Sequence, residues 1–159
     1  MKSNRDINML KKILITGLIT SSLLFAGCAS NPSSAQQQHN LASLQNKTWV
    51  LTHFGATEFK SSPTARNIPS IQFDEATKRV SGADGCNRII GSYTIQGEHI
   101  TLSQLGGTKM LCAETMNLAN QYNEALEKVT GYQVYDKTLR LLDRHGNPLL
   151  QFSSAVQAR

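Results

Sequence analysis

A cysteine, a carboxamide and a guanidinium stand side by side at Cys86-Asn87-Arg88, inside a stretch from Ser81 to Tyr93 that reads SGADGCNRIIGSY. A second cysteine closes Thr108–Cys112, TKMLC. The first grouping invites the thought of an active site, but nucleophilic catalysis needs a nucleophile, a base and an orienting group in one place. Ser81, Ser92 and Ser103 fall in strand or turn contexts, and no Gly-x-Ser-x-Gly elbow occurs. Of the paired carboxylates, Asp74-Glu75 belongs to a turn and Glu124/Glu127 to a solvated helix face. Gly82-Ala83-Asp84-Gly85 has the glycines of a phosphate cradle without a following lysine or helix. Cys86 and Cys112 could join His53, His99 or His145 around zinc, yet no ligand spacing supports it and the histidines sit on separate strands or turns. The sequence therefore implies no metal and no cofactor. What remains is Asn87 and Arg88 with Thr108, read either as a polar contact site or as structural groups. In the structural reading, which the residue types favour, Asn87 and Thr108 hydrogen-bond loop backbone, and Arg88 pairs with a carboxylate or covers apolar surface.

The two cysteines must be judged with a third. Residues 1–27 form a basic segment ending at Lys12 and a short apolar run, Ile13–Leu24, too interrupted for a spanning helix. They read as a signal peptide. The exit Leu24-Phe25-Ala26-Gly27-Cys28 resembles the lipobox of bacterial lipoproteins, with Phe25 where leucine is most usual. Cys28 is then the lipid attachment site and the chain's membrane partner is reached through it. Each buried methylene of an acyl chain contributes about 0.8 kcal/mol, so more than one chain gives firm anchoring. Ala29 in place of aspartate points to the outer membrane, with the domain in the periplasm. In that oxidising compartment Cys86 and Cys112 are expected to pair as a disulfide, the alternative being two buried thiols. Closing their 26-residue separation would contribute roughly 3–4 kcal/mol.

Charge narrows the partners. The chain carries a formal +5, but residues before Cys28 hold +3 of it, leaving +2 on the mature part. The remaining cations are scattered, which argues against a nucleic-acid partner.

The elements that would position these residues follow in order. Residues 28–40, rich in Ser, Gln, Asn and Ala, read as a flexible tether spanning roughly 20 Å, and the folded domain as 41–153, with a frayed tail at 154–159. Lys47–Phe54 alternates as a strand, with Trp49 and Leu51 on one face. Gly55–Ile68 reads as an irregular loop, and Ser70–Asp74 with Lys78–Ser81 as a short hairpin. Arg88–Ile95 and His99–Leu105 make the strongest hairpin in the chain, broken by Gly106-Gly107. Between Ala113 and Thr130 the period becomes helical, with Leu118, Tyr122, Ala125, Leu126 and Val129 on one stripe and Gly131 placed as a cap. Three short strands follow. The fold expected is mainly β (α+β): a small antiparallel β-barrel, fully or incompletely closed, of about eight short strands with one α-helix packed across it.

Trp49-Val50-Leu51, Ile71-Gln72-Phe73, Gly85-Cys86-Asn87-Arg88 with Gly91-Ser92-Tyr93, Thr108–Cys112, Leu139-Arg140-Leu141 and Leu150-Gln151-Phe152 together resemble the META domain, or HslJ-like, family. The resemblance covers roughly Leu44–Phe152. It implies a small, mostly β envelope lipoprotein without established enzymatic activity, associated with heat or antibiotic stress. The expectation is a non-enzymatic binding module for a partner protein or an apolar ligand. Two rivals are a periplasmic inhibitor of a hydrolase such as lysozyme, and a hydrolase in its own right.

Overall fold

The computed structural model of the protein describes residues 34–63 and 65–154. The signal peptide, Cys28 and residues 155–159 lie outside them. Eleven elements follow in order: α1 (Ser34–Leu44), β1 (Thr48–Phe54), β2 (Thr57–Glu58), β3 (Ser70–Phe73), β4 (Arg79–Ala83), β5 (Arg88–Gln96), β6 (His99–Gly107), α2 (Met116–Glu127), β7 (Gly131–Tyr135), β8 (Thr138–Leu142) and β9 (Pro148–Ser154). The strands form one antiparallel sheet in which each of β3 to β8 pairs with the next, and β9 returns to β1, which pairs with β3. The sheet thus closes into a ring, with β2 a two-residue spur beside the end of β1.

Period-two alternation puts one side of each strand inside that ring. Trp49, Ile71, Phe73, Ile100, Leu139, Leu141, Leu150 and Phe152 are fully buried there. Burying a side chain of this size contributes roughly 1.5–3 kcal/mol, so the interior is a packed core. Tyr93 stacks edge-on against Phe73 at 5.2 Å, and its hydroxyl accepts from Gln45 Nε2 at 2.6 Å while donating to Asp74 O.

The α2 helix covers the ring as its stripe requires. Ala119, Tyr122 and Leu126 are buried, and Asn117, Gln121 and Glu124 face solvent. Tyr122 meets Phe152 edge-on at 6.3 Å and donates to Ser70 O at 3.1 Å, so one side chain ties the helix to β9 and β3. Burial pushes its phenol well above the usual range, with the Asp84 carboxylate adding to the shift.

Four boundaries differ from the sequence expectation. The helix α1 reaches back to Ser34, so residues 34–40 are helical rather than coil. The helix docks through its C-terminal end, where buried Leu44 accepts at its carbonyl from Trp49 Nε1 at 2.8 Å. The 55–68 loop contains β2, whose pairing with β1 sets up an edge contact between Phe54 and Phe59. Gly106-Gly107 does not break β6, because Ile90 and Ile89 pair with the two glycines. Gly131 opens β7 instead of capping α2, which ends at Lys128 with its N–H bonded back into the last turn.

Candidate functional site

The site is built where β4 hands over to β5. Gly85 there has φ +101°, a conformation that side chains rarely adopt, and an added Cβ would lie 2.7 Å from Leu118 Cδ2. Its N–H donates to Asn67 Oδ1 at 2.7 Å, fixing the turn to the loop before β3. Asp84 is 0 % exposed and organises the turn. Its Oδ1 accepts the N–H groups of Cys86 at 2.9 Å and Asn87 at 2.6 Å, and its Oδ2 accepts Asn123 Nδ2 of α2 at 3.0 Å.

The second cysteine segment docks onto this turn. Cys86 and Cys112 are joined by a disulfide with their Cα atoms 5.9 Å apart. Asn87 Oδ1 accepts from Met110 N at 2.8 Å and from the Thr108 hydroxyl at 3.2 Å. Thr108 Oγ1 in turn accepts from Arg88 N at 3.2 Å. Past the disulfide, Cys112 O accepts from the N–H groups of Thr115 and Met116, starting α2, and the buried Thr115 hydroxyl donates to Gly85 O. The clasp therefore ties the β4–β5 turn, the end of β6 and the start of α2 into one body.

Asn87 and Thr108 thus spend polar atoms on one another and on backbone. Arg88 is brought beside them, but its guanidinium meets no carboxylate among the described residues; it lies exposed on the outer face with Ile90. The histidines stay apart: His53 in β1 contacts Thr52 and Gln151, His99 opens β6, and His145 sits in the β8–β9 turn. Among the described residues no three His, Cys, Asp or Glu side chains come together as metal ligands would.

Sequence reasoning met Asp84 only within the Gly82–Gly85 stretch weighed as a phosphate cradle, and it passed over Asn123. The signal for Asp84 was available: an aspartate two and three residues before backbone N–H groups in a glycine-containing turn is the pattern of an Asx turn. For Asn123 there was none, since it lies 39 residues away on a helix face otherwise read as solvated.

Two concavities flank the clasp. A cleft of about 200 Å³ lies between the clasp and α2, walled by Ile89, Leu105 and Leu126, with Asp84, Asn87, Thr108, Lys109, Asn123 and Glu127 as its polar lining. Leu105 enters that wall through an irregularity in β6: between the pairs Ile90–Gly106 and Ser92–Ser103, β6 carries the extra residue, and Gln104 takes φ 53°. Gly91 opposite has no room for a Cβ, which would lie 2.9 Å from both Ser103 O and Leu105 Cδ2. The second is a shallow groove of about 590 Å³ on the outer face of β3, β4 and β5, rimmed by Ile68, Arg88 and Ile90. Leu111, next to Cys112, is 93 % exposed.

The family model for the META domain matches residues 42–156, which contain the ring, the clasp and α2. The chain belongs to the META domain family. Among curated relatives, the heat shock protein HslJ of Escherichia coli K12 is 29 % identical over 116 residues, covering 72 % of this chain and 77 % of that one. A META domain of this shape also resembles solved structures. A protein from Burkholderia xenovorans, solved by NMR, has a TM-score of 0.58 at 26 % identity, covering 77 % of this chain and 88 % of its own. A DUF4847 family protein from Bacteroides vulgatus ATCC 8482 shares the fold at TM-score 0.51 and 20 % identity, over 72 % of this chain and 96 % of that one.

Proposed function

We propose that this META domain protein is a non-enzymatic binding module, lipid-anchored through Cys28 to the outer membrane with its domain in the periplasm. In that place it supports tolerance of heat or antibiotic stress by holding a partner protein. The observation that carries the reading is the state of the clasp. Cys86 is committed to a disulfide, Asp84 accepts three hydrogen bonds, and Asn87 and Thr108 bond each other. These groups make a rigid platform and leave no nucleophile beside a base. The packed interior of the ring favours recognition at the surface over an apolar ligand held inside. Exposed apolar side chains mark that surface: Leu111 beside the disulfide, with Ile68 and Ile90 on the outer groove. The name of the Escherichia coli relative supports a role in heat stress.

The test is survival of a deletion strain at elevated temperature and under an antibiotic. The full chain should restore survival, Cys28→Ser should leave the domain out of the membrane fraction and fail to restore it, and Leu111→Glu should fold yet fail. Full rescue by both variants would sink the reading.

The protruding Leu111 also favours a second reading, inhibition of a hydrolase such as lysozyme, in which the disulfide-pinned loop enters an active site. The full chain in detergent should then slow lysozyme stoichiometrically; unchanged turnover removes it.

A further inference from the structure

The cleft between the clasp and α2 is lined by two amide side chains, each with one polar atom that the fold leaves unused. Asn87 Oδ1 accepts from a backbone N–H and a hydroxyl, so its Nδ2 is the free end of that side chain. Asn123 Nδ2 donates to the Asp84 carboxylate, so its Oδ1 is the free end of the other. The partners force these assignments, because a backbone N–H can only donate and a carboxylate can only accept. Among the described residues neither free atom has a hydrogen-bond partner, and neither is sealed from solvent. Both side chains line the cleft, and both residues hold the same buried carboxylate, Asp84, through the Asn87 N–H and the Asn123 amide.

We propose that this cleft is a recognition site for one peptide group carrying an apolar side chain. The ligand carbonyl accepts from Asn87 Nδ2, the ligand N–H donates to Asn123 Oδ1, and the side chain lies on Leu105 and Leu126. The free amide donor and the free amide acceptor are the complement of a secondary amide. The Lys109 and Glu127 side chains that also line the cleft are of opposite sign and so do not favour a charged ligand of either sign. Two further features fit an amide with an aliphatic substituent. The first is the apolar wall, to which the β6 irregularity at Gln104 directs Leu105. The second is the volume of about 200 Å³, which admits a single residue rather than a longer segment. The recognising atoms are held before the ligand arrives, since each amide is locked at its other end; that preorganisation lowers the entropy cost of binding. The proposal rests on the binding-module reading and names the chemistry of what one part of its surface takes.

The test titrates the full chain, in detergent and labelled with nitrogen-15, with N-isopentylacetamide, a single peptide group bearing a leucine-like substituent. The side-chain NH₂ signals of Asn87 and Asn123 should shift saturably, with a Kd on the order of 1–10 mM for so small a ligand. Isopentyl acetate, with an ester oxygen in place of the N–H, should bind about fivefold more weakly or worse, because Asn123 Oδ1 then faces an acceptor. Leu105→Ala should weaken the amide several-fold while the two NH₂ signals keep their unliganded positions. Equal binding of amide and ester, or no saturable shift with the amide, overturns the site. Either failure leaves the stress-survival experiment untouched, so the loss of this site and the loss of the binding-module reading are told apart.

Discussion

Asp84 and Asp143 build their turns in the same way and differ in what the turn is attached to. Asp143 Oδ1 accepts the N–H groups of His145 and Asn147, as Asp84 Oδ1 accepts those of Cys86 and Asn87. Asp143 lies at the surface and spends its second oxygen on Asn147 within its own turn. Asp84 is buried and spends its second oxygen on Asn123, in another element 39 residues away. The same local chemistry shapes a hairpin end in one case and joins the β4–β5 turn to α2 in the other. A turn becomes a structural hub when its carboxylate is buried and its spare oxygen reaches a distant element.

The contrast can be broken by substitution. Asp84→Ala should lower unfolding free energy by roughly 3–5 kcal/mol, since it strands a buried and a half-buried backbone donor and an amide. Asp143→Ala, measured by the same chemical denaturation, should move the midpoint only slightly. Similar losses at the two positions would refute the distinction. Next in size is the clasp's covalent bond: Cys86→Ser with Cys112→Ser should cost about 2–4 kcal/mol. Its effect on hydrogen exchange should concentrate in residues 108–116 and spare the β8–β9 turn.

The pH profile sharpens the same comparison between buried and surface groups. Burial raises the phenols of Tyr93, Tyr122 and Tyr132 above the ordinary 10.0, most strongly for Tyr122. A group raised in the folded state contributes stability that is present below its unfolded value and lost as pH rises past it. Stability should therefore fall steeply above about pH 10, with tyrosinate absorbance appearing in step with unfolding. The turn carboxyls move the other way. Hydrogen bonds from Thr77 lower Asp74, and those from Asn147 lower Asp143, below the ordinary 3.8. Their contribution is present above that value and lost as pH falls through it, and it should be the smallest of these effects. Thr77→Ala should flatten the acid limb slightly and leave the alkaline limb unchanged.

How much of this was written in the sequence depends on whether the signal was local. The β5–β6 hairpin and the α2 stripe were legible because periodicity is local: Ile89, Tyr93 and Ile100 alternate, and Tyr122 and Leu126 recur at helical spacing. The antiparallel β architecture with a covering helix followed from them. The helix α1 was not legible, because Ser34–Leu44 carries almost no apolar stripe and is held at Leu44 by Trp49, a contact made by the fold. Gly106 and Gly107 looked like a break because glycine lowers strand propensity, yet partners on β5 hold them in register. In the site, Asn87, Arg88 and Thr108 were found as neighbours. The bonds that define the role of Asn87 run to Asp84 and Met110, Asp84 bonds onward to Asn123, and only the folded chain brings those together.

The central claim is that the clasp end is a recognition surface and the rest of the ring a scaffold. Leu111 at the clasp is 93 % exposed and Tyr135 in β7 is 84 % exposed, so the two positions offer comparable access and different surroundings. A photocrosslinking residue placed at either position of the full chain, in intact cells under heat stress, compares them directly. The account predicts a discrete protein adduct from position 111 and none from position 135. Equal adducts from both positions, or an adduct only from 135, would contradict it.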